Sequence, residues 1–321
     1  MADAAPHTGT FQEASMDVYG KVYNIRVYRQ MKENVQAPRL VIVAYLPNHT
    51  ACDMLRLCIE SIRRFTPEAH ELWVVDNCSP PVFSAWLAQE PGINVIFNLD
   101  KPIPGRSLSQ LFRFSHDPPY EGSYANAVAL EIASKVVDPD TKVIMTLHMD
   151  TVACRGGWLT YLRGHLSDEV RCVGVRMDQV REKVIHVLGM MFDFTLFHPL
   201  KLTYQHNMPA YDAGDAVSIA LIKAGYGVWA CRNTLWQPEL TSLISEDSPF
   251  RFLSVDRAFD DDDQVIFMHL GRGIRKSEGC EPGAKTSSEE WLRFGREVLL
   301  NCSSAGTGTE SSIGEGAAGG N

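Results

Sequence analysis

The chain has 321 residues, 45% of them hydrophobic, and a formal net charge of -9. That is enough apolar material for one large core, and the acidic balance excludes a protein that binds mainly by neutralising nucleic-acid phosphates. Eight scattered cysteines with no C-x-x-C pair suggest neither a zinc cluster nor a disulfide framework, but reduced buried thiols.

Residues 1–15 are small and polar and are expected to be mobile; 303–321 is a Gly/Ser-rich tail expected to be disordered. Between them a single domain is expected over 16–302. Residues 40–45 read as a strand. Leu55, Cys58, Ile59, Ile62 and Phe65 recur at helix spacing, and 72–76 is the next strand. A short helix over 80–89 and a strand over 93–97 follow. A long connection over 101–120, a lid or binding loop or else a surface insertion, leads to a helix marked by Ala125, Val128, Ile132 and Val136.

The next apolar run, Val143-Ile-Met-Thr-Leu, ends abruptly in His148-Met-Asp150. This βαβαβ order predicts an α/β fold with a mostly parallel sheet, and places Asp150 at the carboxyl edge where such sheets bind ligands. Beyond it the patterns predict a helix over 158–166, strands over 172–177 and 184–192, a helix over 217–224 and a strand over 227–231. An irregular stretch, an acidic turn over 260–263, a strand over 265–268 and a terminal helix over 291–300 complete the chain. No leader pattern and no apolar run of membrane-spanning length occurs, so a cytoplasmic location is expected.

Three polar positions fall at element ends. Asp76 follows a buried strand and is placed to bond a base or ribose, or merely to cap the next helix. His148 and Asp150 alternate on an extended segment and so point the same way, a geometry that holds a divalent ion with one distant ligand, for which His269 is the candidate. Arg272, Arg275 and Lys276 follow His269 in a Gly-containing loop, either as a diphosphate clamp or as ordinary surface charge. Asp215 opens a helix as an N-cap or as a general base, with Asp212 the rival for the latter role. Trp158 and Trp236 are candidates for stacking on a sugar or for the core.

In order, these segments resemble a family 2 glycosyltransferase with the GT-A fold, a Rossmann-like α/β sandwich. The matching pieces are Val41-Ile-Val-Ala-Tyr45, Val74-Val-Asp76-Asn-Cys-Ser79, Asn98, Gly122-Ser-Tyr-Ala-Asn126, Leu147-His-Met-Asp150, Gly157-Trp-Leu159, Asp212-Ala-Gly-Asp215 with Leu221-Ile-Lys-Ala-Gly-Tyr226, and His269. The resemblance covers roughly residues 39–276. It implies an inverting hexosyl- or deoxyhexosyl-transferase that uses a nucleotide diphosphate sugar and Mg²⁺ or Mn²⁺. The nucleotide-binding half would be about 39–151 and the acceptor half about 152–302.

By the same resemblance Ala44, Tyr45, Asp76, Asn126, Arg272 and Arg275 would hold the donor. Asp150 and His269 would hold the metal, with His148 a further possibility, and Asp215 would be the base. The acceptor, whether glycan, small molecule or lipid-linked, is not implied; neither nucleic acid nor a transmembrane segment is. Two departures stand out: the family's Asp-x-Asp reads His148-Met-Asp150, and the acid before the catalytic aspartate is replaced by Gly214. Two alternatives are a catalytically silent sugar-nucleotide- or partner-binding relative and a sugar nucleotidyltransferase. The latter normally has a Gly-rich basic loop after the first strand, where this chain has Ala44-Tyr-Leu-Pro-Asn48.

Overall fold

The computed structural model describes residues 10–103, 121–181, 183–208 and 210–301. The terminal segments 1–9 and 302–321, and 104–120 of the long connection, lie outside the described residues. Strands β1 (Thr10–Val18) and β2 (Lys21–Arg29) form an antiparallel hairpin. Its Tyr19-Gly20 turn has φ of 55° and 77°, the left-handed pair that matches strand twist in a two-residue hairpin. Residues 10–15, expected to be mobile, are therefore paired strand: each residue of β1 faces a partner on β2, which takes the hydrogen bonds of one edge of β1.

From Arg39 the chain alternates strand and helix: β3 (Arg39–Ala44), α1 (His49–Phe65), β4 (Glu71–Asn77), α2 (Pro81–Ser84), β5 (Asn94–Asn98), α3 (Glu121–Val136) and β6 (Val143–His148). The Asn48 side chain accepts from Ala51 N–H to start α1, and Arg63 and Arg64 lie in its last turn, both favourable for a helix. There follow β7 (Thr151–Ala153), α4 (Trp158–Gly164), β8 (Val170–Gly174), β9 (Gly189–Asp193), α5 (Asp215–Lys223), β10 (Gly227–Ala230) and β11 (Arg232–Asn233). The described chain closes with β12 (Asp256–Phe259), β13 (Val265–His269), α6 (Gly273–Ser277) and α7 (Ser288–Phe294), the last started by a Ser287/Glu290 capping box.

Among the described residues nine strands form one sheet in the order β1-β2-β5-β4-β3-β6-β9-β8-β10. Only β2 and β9 run against the rest, so the sheet is mostly parallel as expected, with one antiparallel strand on either side of its parallel centre. The strands expected over 172–177 and 184–192 are shorter, because Met177 and Ile185 meet only in an isolated bridge. Alternation along the central strands fills both faces: Leu40, Ile42, Leu72 and Val74 pack with α1, while Val41, Trp73 and Val75 pack with α3.

A second sheet, β11-β12-β13-β7, includes two strands within a region expected to be irregular. The two edges of β13 take β12 and β7, and β12 in turn takes β11. Met149 and Asp150 therefore lie where the chain leaves the large sheet at His148 and enters the small one at Thr151. Among the described residues no helix is long and apolar enough to cross a membrane.

Candidate metal and nucleotide site

Register brings the distant ligands together. His269 ends β13 directly opposite Thr151 of β7, so its ring reaches the residue before Thr151, Asp150. His269 Nε2 lies 3.5 Å from Asp150 Oδ1. His148, Asp150 and His269 place one ligand atom each within 4.8 Å of one another. The other Asp150 oxygen, Oδ2, accepts Gly273 N–H at 2.9 Å, and the Asp150 carbonyl accepts Leu270 N–H at 3.0 Å. The loop after β13 thus holds the carboxylate from behind and leaves Oδ1 facing the histidine.

Burial acts against ionisation of both members of this pair, and their mutual attraction overcomes it. The charge on His269 and its hydrogen bond, with help from His148 and Gly273 N–H, hold Asp150 well below the usual carboxylate range. Asp150 and Asp256 together push His269 up to about 9 against the effect of burial. His148 behaves in the opposite way: burial, with His269 and Arg176 adding to it, draws its pKa down to about 4 despite Asp150, and it stays neutral near pH 7. A buried carboxylate with two imidazoles is a donor set that suits a divalent ion. The residues fit the divalent metal that the resemblance implies.

Around this centre lie groups that sequence reasoning missed. Asp256 Oδ2 lies 3.2 Å from His269 Nδ1 and 2.8 Å from Arg176 Nη1. The His186 ring packs edge-on to His148 at 5.8 Å, and its Nδ1 accepts Leu188 N–H. Asn126, expected to touch the donor, directs its Nδ2 at His148 Nε2 at 3.1 Å, and its Oδ1 is buried without a partner. A lone His186 within an apolar run gave no sequence signal. Asp256 stands out only once β12 and β13 are paired.

The nucleotide candidates share the same edge. Ala44 pairs with Asp76, and Val43 with His148, across β3. Asp76 and His148 are therefore level to within one residue and two strands apart, roughly 10 Å at ordinary strand spacing. Tyr45 follows Ala44, half-buried. Asp76 Oδ2 accepts Ser79 N–H, the helix-capping arrangement foreseen as the plain alternative, but Oδ1 is buried with no partner. Burial raises the Asp76 pKa to about 6.

Arg272 and Arg275 do not join this cluster. Both are largely exposed, at 72% and 65%, and both pair with Glu281. Lys276 is the cation of that loop whose charge couples to Asp150; it donates to the Leu270 carbonyl at 3.0 Å.

Asp215 is fully buried at the first turn of α5, with 0% exposure. Its Oδ2 accepts Asp212 N–H at 2.8 Å and contacts Arg181 Nε at 3.1 Å, while Oδ1 has no partner. Arg181 also pairs with Asp178 and Asp212. Burial raises the Asp215 pKa to about 6. The preceding Gly214 has φ of 81°, and a Cβ there would lie 2.0 Å from Val187 Cγ1, so neither backbone nor space admits the acid expected at that position. Trp158 is core: it is fully buried and its Nε1 donates to Thr66 Oγ1. Trp236 is half-buried.

No protein-family model matches the chain, and no curated protein matches it. Several solved structures resemble it. A mannosyltransferase from Pyrobaculum calidifontis in complex with GDP-Man and Mn²⁺ is 13% identical, with a TM-score of 0.43 over 60% of this chain and 54% of that one. The chain thus spans about half the length of that mannosyltransferase. An active-site mutant of LgtC is 12% identical, with a TM-score of 0.46 over 79% of this chain and 94% of that one. A glucosyl-3-phosphoglycerate synthase from Mycobacterium tuberculosis in complex with Mn²⁺, UDP and phosphoglyceric acid is 14% identical, with a TM-score of 0.37 over 61% and 68%. At these scores the likeness decides nothing about the chemistry of this chain, which rests on its side chains.

Proposed function

We propose that the chain is a metal-assisted GT-A glycosyltransferase that moves a sugar from a nucleotide diphosphate sugar to an acceptor hydroxyl with inversion. The observation that carries this reading is the convergence of Asp150, His269 and His148 at the strand edge that also carries the unpartnered Asp76 Oδ1. Such an edge offers one acceptor for the nucleoside and, about two strands away, a cation site for its diphosphate. Asp150 and His269 would hold Mg²⁺ or Mn²⁺, with His148 completing the set, and the bound ion would neutralise charge on the departing diphosphate.

The protein's own groups supply the rest. Asp76 orients the nucleoside through Oδ1, beside the Ala44 and Tyr45 backbone. The Asn126 amide holds His148. Lys276 adds positive charge beside the diphosphate; Arg272 and Arg275 reach it only by leaving Glu281. Asp215, with a pKa near 6, is suited to take the acceptor proton at neutral pH, being ionised yet basic.

One observation favours a second reading, a nucleotide-sugar-binding relative that does not catalyse transfer: Asp215 is sealed from solvent and paired with Arg181. Thermal unfolding with a panel of nucleotide diphosphate sugars, with and without Mn²⁺, tests the part common to both readings. Binding to the native state raises the midpoint by mass action. A Mn²⁺-dependent rise with one donor supports it, and no rise with any donor contradicts it. Transfer or donor hydrolysis then separates the two readings.

A further inference from the structure

We infer that Asp256 is a positioning residue that fixes His269 for cation binding, with Arg176 holding Asp256 in turn. This rests on the proposed metal centre and assigns a role to residues outside it. His269 has two ring nitrogens that play different parts. Nε2 faces Asp150 Oδ1 at 3.5 Å, and Nδ1 faces Asp256 Oδ2 at 3.2 Å.

A carboxylate accepts and does not donate, so an ionised Asp256 requires the proton on Nδ1. In the ligand-free protein Nε2 carries the second proton of the charged ring, toward Asp150; a cation would displace that proton alone and take the Nε2 lone pair, while Nδ1–H stays with Asp256. Histidine ligands are oriented in this way by the partner of their other nitrogen. The arrangement is built by the fold: Asp256 is paired with His269 across β12 and β13, so the two side chains share a face of the small sheet. Asp256 is fixed a second time by Arg176 Nη1 at 2.8 Å, an arginine only 11% exposed. The contact therefore runs from the loop after β8 through β12 to β13, and all three groups are held by backbone that does not depend on a ligand.

The test is Mn²⁺ binding to the purified protein, read from the electron paramagnetic resonance of free and bound ion. The nitrogen modulation of a coordinated imidazole serves as the second readout. Asp256→Ala is expected to weaken binding roughly 10- to 100-fold and to diminish the nitrogen modulation. Asp256→Asn, whose amide oxygen can take the same place between Arg176 and His269, is expected to recover much of both. Because Asp256→Ala leaves the Arg176 charge buried and unpaired, the double variant Arg176→Met with Asp256→Ala repeats the measurement without that charge. It is expected to show the same loss.

Mn²⁺ affinity within twofold of wild type and an unchanged nitrogen signal, in either folded variant, overturns the role of Asp256 while leaving the metal centre standing, provided Asp150→Asn abolishes binding. A wild-type protein that binds no Mn²⁺, or an Asp150→Asn variant that binds it normally, overturns the metal centre itself and this inference with it.

Discussion

Gly273 and Asp150 meet so closely that nothing larger than glycine fits. The Gly273 N–H donates to Asp150 Oδ2 at 2.9 Å, and a Cβ on Gly273 would stand 2.5 Å from the Asp150 Cβ. Gly273→Ala must therefore move the carboxylate, the loop or both. Overpacking of this kind costs roughly 1–3 kcal/mol. The expected result is a lowered unfolding midpoint together with weaker Mn²⁺ binding, checked by calorimetry on metal-free and Mn²⁺-loaded protein.

Gly214 offers a purely structural counterpart. Its left-handed φ of 81° and the 2.0 Å approach of Val187 Cγ1 act independently. Gly214→Ala is expected to destabilise the protein by roughly 2–5 kcal/mol. Adding Val187→Ala should return only the steric part, because the backbone strain remains. Denaturant unfolding of the single and double variants checks this.

Asp76 is expected to govern donor affinity without governing the fold. Its Oδ1 is unpartnered in the free protein, so Asp76→Asn removes a charged acceptor that only a ligand engages. Nucleotide binding should weaken about 10- to 100-fold, the range for a hydrogen bond to an ionised group. Isothermal titration with the donor found by the thermal screen provides the value. Since the Asp76 pKa stands near 6, binding to the wild type should also weaken below that pH as the carboxylate protonates.

The two raised carboxylates have a consequence for stability. Burial lifts both Asp76 and Asp215 from an ordinary value of 3.8 to about 6. Between those values each of the two carboxylates holds more protons in the folded state than in the unfolded one, so their contribution to the stability of the ligand-free protein should fall as pH rises from about 4 to about 6, opposed over the same range by the buried neutral His148. Asp215→Asn removes one of the two groups and should flatten that slope. If Asp215 is the base, the same variant should suppress transfer on the order of 10²–10⁴-fold with donor binding intact, and wild-type activity should rise through pH 6. Normal turnover by Asp215→Asn removes it from that role.

How much of this was legible in the sequence follows from what each residue has to report. The uninterrupted apolar runs of β3, β4 and β6 announced strands buried on both faces, and Asp76 and Asp150 could be placed at their ends by counting. The β1–β2 hairpin was missed because its strands are partly exposed and mix polar with apolar residues instead of forming an apolar run. Strands β11 and β12 escaped for a related reason: they are two and four residues long, and each is formed by an edge that another strand offers, β12 by β13 and β11 by β12.

His269 was found as a lone histidine at a strand end, but its partner Asp256 lies opposite in register, which no local pattern encodes. Likewise the charge of Arg272 and Arg275 was visible, while their diversion to Glu281 is a matter of three-dimensional reach. The reason glycine stands at position 214 became visible only with Val187 beside it.

The central claim is that Asp150 and His269 hold a cation that serves a nucleotide diphosphate sugar. It is tested most directly by the release of nucleoside diphosphate from a panel of nucleotide sugars, with Mn²⁺ and with EDTA, for the wild type and Asp150→Asn. The account predicts release from at least one donor with Mn²⁺, suppressed by EDTA and by the substitution. Release that is unchanged by EDTA and by Asp150→Asn, or no release from any donor with Mn²⁺ and a range of acceptors, would contradict it.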